Sequence, residues 1–213
     1  MKKFELTSEF VTNIFGTKLF RIKALVEFGN VKAGDLGGYI EKESNLDHYG
    51  DAWVYGDAQV YGDARVSGDA WVYGNARVYG DAQVYGNAWV CGDARVCGNA
   101  RVYGDAWVYG NAWVCGNAWV SGNARVCGDA RVSGNADYAY AHGFGSEYRT
   151  TTFFRLENGD VGVRCGCFYG TLQEFRDKVR ETHKETKKAK EYLMLADLME
   201  FRFKEDAEDG KDN

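Results

Sequence analysis

Three histidines and six cysteines carry the groups of this 213-residue chain best suited to acid–base, nucleophilic or metal chemistry. A general base must lie within hydrogen-bond reach of the proton it removes. His48, His142 and His183 are scattered along the chain, and no Ser-His-Asp pattern, paired-carboxylate motif or glycine-rich phosphate loop surrounds them. A surface or capping role is the simpler reading of each. Cys165 and Cys167 fall on one face of a strand, and with His142 and His183 they supply four candidate zinc donors. Their Cys-x-Cys spacing lacks the two-residue knuckle of structural zinc sites, so packing of both thiols in a core is expected. No catalytic residue, metal or cofactor is assigned.

Recognition chemistry is better represented. From Val54 to Val132 a valine stands at every sixth position, in fourteen unbroken hexads of the form Gly-Asp/Asn-Ala-x-Val-x. The slot before each valine holds only Trp, Arg or Gln. Trp53, Trp71, Trp89 and Trp107 stand eighteen residues apart and are followed by Arg125, while the slot after the valine adds Tyr55, Tyr73 and Tyr109, with Cys91 on the missing rung. Trp113 and Trp119 sit on the two mixed faces, so Trp107, Trp113 and Trp119 ring one coil. Trp and Tyr dominate binding hot spots, and an open aromatic surface of several hundred square ångströms is rare on a monomer. These ten residues, from Trp53 to Arg125, are the candidate binding site. Stacking between adjacent rungs also stabilises a sheet, by about 0.2–1 kcal/mol for each cross-strand pair.

The elements that position this ladder follow from the repeat. Ala-x-Val-x alternates with period two, which puts Ala and Val on the inner face of a short strand. Three strands joined by Gly-Asp/Asn corners close a coil of eighteen residues, and coils stack at about 4.8 Å. The fold expected is mainly β: a parallel β-helix of about five coils. The corner residues Asp57, Asn75, Asp93, Asn111 and Asp129 alternate in charge, which keeps carboxylates from facing one another across that spacing. The chain has no proline, so its turns rest on Gly-Asp and Gly-Asn pairs that tolerate left-handed backbone angles.

Upstream, Ile40 and Leu46 keep the six-residue step before Asp47 and His48 add two residues. Residues 1–37 read as a β cap, which a solenoid needs to cover its open strand edge. Residues 38–136 are the β-helix and 137–148 a linker. Residues 149–205 read as a ββαα module: two strands around Asn158-Gly159, a capping box at Thr171 to Glu174 with Leu172, Phe175 and Val179 on one helix face, and a second helix carrying Tyr192, Leu193, Ala196 and Met199. Residues 206–213 read as a disordered tail.

The charged start lacks the apolar core of a signal peptide, and no apolar run reaches membrane-spanning length. A cytoplasmic protein with reduced thiols is therefore expected, with no membrane partner. Cys97 and Cys115 occupy adjacent rungs. A net charge of -5 without basic blocks argues against nucleic acid.

The hexads resemble the hexapeptide-repeat family, whose pattern places an aliphatic residue first and a small one fifth, as Val54 and Ala58 do. The resemblance implies a left-handed coil and a homo-oligomer, commonly a trimer. It also implies acyltransferase activity where a histidine base projects from a coil or loop, and the hexads here hold no histidine and no protruding loop. The stretch Asn30-Val31-Lys32-Ala33-Gly34-Asp35-Leu36-Gly37-Gly38-Tyr39-Ile40 looks like the start of a bacterial and phage-encoded branch labelled as transferases. Residues 143–203, with Cys165-Gly166-Cys167-Phe168, are similar to a small C-terminal domain of phage proteins without assigned chemistry. The expectation is a non-catalytic binding protein with an unknown protein or small-molecule partner. It would act on a host defence or regulatory component, or sequester a ligand such as a nucleotide at a subunit interface. Acyl transfer and carbohydrate binding are the rival readings.

Overall fold

The structure, a computed structural model, describes residues 2–145 and 147–205; the expected disordered tail lies outside the described residues. Strands β1 (Phe4–Thr12), β2 (Lys18–Ala24) and β3 (Leu36–Ile40) precede fourteen two-residue strands, one per hexad, from β4 (Trp53–Val54) to β17 (Arg131–Val132). Then come β18 (Tyr138–Ala141), β19 (Thr151–Arg155), β20 (Val161–Cys165), β21 (Phe168–Thr171), α1 (Leu172–His183) and α2 (Lys187–Glu205).

The hexad strands form a parallel β-solenoid of about five coils, each strand from β4 to β14 pairing with the one eighteen residues on, as in Trp71↔Trp89 and Val72↔Val90. Each alanine and valine of the repeat from Ala52 to Val132 is fully buried. Small and branched side chains thus alternate to fill a narrow interior. The corner glycines have two reasons to be glycine. Gly68 holds φ +67°, and a Cβ there would meet the backbone nitrogen of Gly86 at 3.0 Å. Corner amides bridge the coils: Asn75 Nδ2 donates to Asp93 Oδ1 at 3.0 Å and Asn111 Nδ2 to Asp129 Oδ1 at 3.1 Å.

The first coil is closed by side chains. β1, β2 and β3 form an antiparallel sheet, and β3 also pairs in parallel with the solenoid strand Gln59–Val60, so cap and solenoid share one eight-stranded sheet. The six-residue step to Leu46 makes a 3-10 turn at Glu43–Asn45 and a single bridge, Leu46↔Val66. Ladder carbonyls left open there are met by Asn45 Nδ2, which donates to Gly62 O and Ala64 O, and by Lys3 Nζ, which donates to Gly50 O and Ala52 O.

The C-terminal module differs from its sequence reading. Residues 137–148, read as a linker, contain β18, which pairs with β19, and β21 adds a further strand after the Gly166 turn. The module is therefore a four-stranded antiparallel sheet, β18-β19-β20-β21, with two helices. Short strands of this kind owe their structure to pairing rather than to their own pattern. One side of the sheet, with Phe153 and Val163, packs on Phe175, Val179, Tyr192, Ala196 and Met199 of the helices. On the other side, Phe154 and Tyr138 join the solenoid core. Arg125 N–H donates to Thr152 Oγ1 at 2.9 Å, Glu157 N–H to Asp129 O at 3.1 Å, and Arg131 pairs with Glu157 at 2.8 Å. The module closes the last coil as the N-terminal strands close the first.

Candidate functional site

The eighteen-residue period places the aromatic column as expected, but its rungs are not equivalent. Trp53 is a correction. It is fully buried, with Phe28 and Phe4 edge-on at 5.3 and 6.4 Å, because the N-terminal cap folds over the first rung. It belongs to the core and is not available to a partner. Trp71 is half-buried and packs against the solenoid core. Trp89 lies flat on Trp107, centroids 4.9 Å apart and planes 2° from parallel, and the Arg125 guanidinium covers the next face of Trp107 at 5.0 Å. Tyr73 meets Trp89 edge-on at 5.9 Å, and Tyr55 stands 55% exposed near the capped end.

Ladder tyrosines are tied to the cysteines one coil on. Burial, then a hydrogen bond to Cys91, pushes the Tyr73 hydroxyl up to about 12. Burial and a bond to Cys127 raise Tyr109 further, and Tyr79 is raised in the same way over Cys97. All six cysteines are free thiols.

The two remaining tryptophans are each paired with arginine. Trp113 lies between Arg95 at 5.1 Å and Arg131 at 5.3 Å. Trp119, 45% exposed, carries Arg101 at 4.8 Å, and its carbonyl accepts from the Tyr138 hydroxyl. Two further columns escaped the sequence reading. Tyr61 stacks on Tyr79 at 5.1 Å and Tyr85 on Tyr103 at 5.0 Å, both 3° from parallel. Their signal was the slot after each valine, followed on all three faces rather than one.

This geometry restricts what the ladder can recognise. Rings stacked along the solenoid axis turn their faces to one another and only their edges outward. The Trp89 and Trp107 pair thus offers little ring face to a sugar and suits an interdigitating protein surface better.

The histidines divide between structure and cavity. His48 stacks on Phe4 at 4.4 Å and its Nδ1 accepts from Lys3 N–H at 3.2 Å, which commits it to the N-terminal cap. His183 lies against Tyr192 at 5.7 Å, in the wall of a mainly apolar cavity of about 420 Å³ shared with Cys165, Cys167, Phe168 and Phe175. Cys165 accepts from Thr151 Oγ1 at 3.2 Å. Among the described residues, no group of three or more His, Cys, Asp or Glu side chains is placed to hold a metal ion. His142, bonded through Nδ1 to Thr150 Oγ1 at 2.9 Å, lines a second cavity of about 480 Å³ where the loop before β19 reaches the ladder at Trp107 and Arg125. Glu147, Arg149 and Gly166 border both cavities. Among the described residues, no helix is long and apolar enough to cross a membrane.

Fold and site together define a β-solenoid closed at both ends, with an aromatic ladder along one face. Residues 58–74, 70–86, 94–110 and 124–136 match the YdcK Beta solenoid repeat family, to which this part of the chain is similar. No curated protein matches the chain.

Proposed function

We propose that the chain is a non-catalytic binding protein that uses the rigid solenoid to present its aromatic ladder to a protein surface, first of all to further copies of itself. One observation carries this reading: the N-terminal cap covers Trp53 and the loop before β19 reaches Trp107, leaving Trp71, Tyr73 and Trp89 between them on a rigid face. A homo-oligomer, with a trimer as the first stoichiometry, agrees with the resemblance of the hexads to left-handed hexapeptide-repeat proteins. The resemblance of residues 30–40 and 143–203 to phage-encoded chains supports a host component as the further partner. Six free thiols agree with a cytoplasmic setting. The test is a native mass spectrum of the protein beside the Trp71→Ser/Trp89→Ser double variant, with far-UV circular dichroism as a check on folding. The expected result is an oligomer for the parent and a folded monomer for the variant. A monomeric parent, or an equally assembled variant, removes this reading.

A further inference from the structure

The cavity at the C-terminal end of the ladder has a composition that the ladder itself does not explain. Beside His142 and the polar side chains of Asn123 and Thr150, three kinds of group line its volume of about 480 Å³: the guanidinium groups of Arg125 and Arg149, the carboxylates of Asp105 and Glu147, and the rings of Trp107 and Tyr148. That volume lies in the range of small-ligand sites, about 300–1,000 Å³.

Of the arginines among the described residues, these two belong to those left without an ion pair. Arg21, Arg131, Arg155, Arg176 and Arg180 each pair with a carboxylate. Among the described residues, Arg125 and Arg149 pair with none, although both line a cavity that also holds Asp105 and Glu147. Asp105 accepts instead from Asn87 Nδ2, at 3.0 Å. Unengaged guanidinium forks are the preferred donors for phosphate and carboxylate oxygens.

Arg125 also extends the stack Trp89–Trp107 by one layer toward the cavity, so a planar ring bound there continues an existing pile. Tyr148, 69% exposed and also in the lining, holds φ +50°. For a bulky side chain that conformation costs about 1–3 kcal/mol, and it clusters at ligand clamps.

We propose that this cavity binds a nucleoside 5′-monophosphate. The phosphate falls to Arg125 and Arg149, the base stacks on the ring and guanidinium layers, and ribose hydroxyls or a base amino group donate to Asp105 or Glu147. Each of the three kinds of lining group then has a partner, which neither a bare anion nor an uncharged aromatic molecule provides. The assignment rests on the reading of the chain as a binding protein but not on its self-association, because Arg149 lies off the ladder.

Titration calorimetry with AMP, GMP, CMP and UMP tests it, with adenosine and inorganic phosphate as controls. At least one monophosphate is expected to bind 10-fold or more tightly than both controls, and Arg149→Ala to weaken it at least 10-fold while leaving the mass spectrum and circular dichroism unchanged. Absence of binding by all four, affinity no better than inorganic phosphate, or indifference to Arg149→Ala overturns the assignment. None of those results bears on the oligomer test at Trp71 and Trp89.

Discussion

The indole of Trp89 lies on that of Trp107 with 4.9 Å between centroids and planes 2° from parallel, a spacing set by the backbone ladder Trp89↔Trp107 beneath them. Side-chain stacking and coil stacking therefore reinforce each other. Aromatic pairs contribute about 0.5–1.5 kcal/mol beyond the area they bury. Trp89→Ala is expected to lower unfolding stability by about 1–3 kcal/mol and to reduce the near-ultraviolet dichroism of the stacked pair. An unchanged urea midpoint would mean that the rings stack without stabilising the coils.

The solenoid was legible from Val54 to Val132 because six residues per strand and eighteen per coil are written into the chain without interruption. Stacking of Trp89 on Trp107 follows from that period alone. The burial of Trp53 does not, since its cover comes from Phe4 and Phe28, which belong to no repeat. Nor was β18 legible. Tyr138–Ala141 alternates, yet its partner β19 begins ten residues later, beyond Gly143 and Gly145, and strand identity there comes from pairing. Arg149 and Arg125 meet in one cavity only because the module docks on the last coil, a relation that no local pattern encodes.

Lys3 is only 3% exposed, with Nζ donating to Gly50 O and Ala52 O, at 3.1 and 2.9 Å, and resting 4.8 Å from the Phe28 ring centre. Burial lowers its ammonium to about 8, while Asp47, Asp51 and Asp69 pull the other way. Between pH 8 and about 10.5 the unfolded chain binds the proton more strongly than the folded one, so folding stability should rise with pH across that window. The neutral amine still has two N–H donors for the two carbonyls. Lys3→Met removes both donors and should cost about 1–3 kcal/mol at neutral pH. The gap between parent and variant is expected to widen by about 1–3 kcal/mol from pH 8 to 10. Parallel stability curves in urea titrations over that range would contradict this account.

Asn75 donates from Nδ2 to Asp93 Oδ1 at 3.0 Å, so an amide separates Asp57 from Asp93 in that corner column. Where the repeat instead places Asp63 and Asp81 in succession, Lys42 pairs with Asp63 at 2.7 Å, and that hydrogen bond holds the Asp63 carboxyl below its ordinary range. Asn75→Asp creates three successive carboxylates with no such cation. Stability should fall by about 0.5–1 kcal/mol at low salt and neutral pH, as expected of exposed like charges. The loss should vanish at 1 M salt, where the screening length is about 3 Å. A loss that persists there would assign the effect to the missing amide donor rather than to repulsion.

Thr152 is fully buried and its Oγ1 accepts from Arg125 N–H at 2.9 Å, at a backbone donor that a sixth coil would otherwise satisfy. Thr152→Val keeps the shape and removes the acceptor, leaving a part-buried N–H unpaired, which costs about 1 kcal/mol. Thr152→Ser keeps the hydroxyl and should lose less. Hydrogen exchange separates the cap's role from a general loss of packing. In the valine variant the Arg125 amide should lose protection while Trp71 and Trp89 amides, deep in the ladder, keep theirs. Equal protection of Arg125 in parent and variant would show that the module holds the last coil through Phe154 and Tyr138 packing, without help from this hydrogen bond.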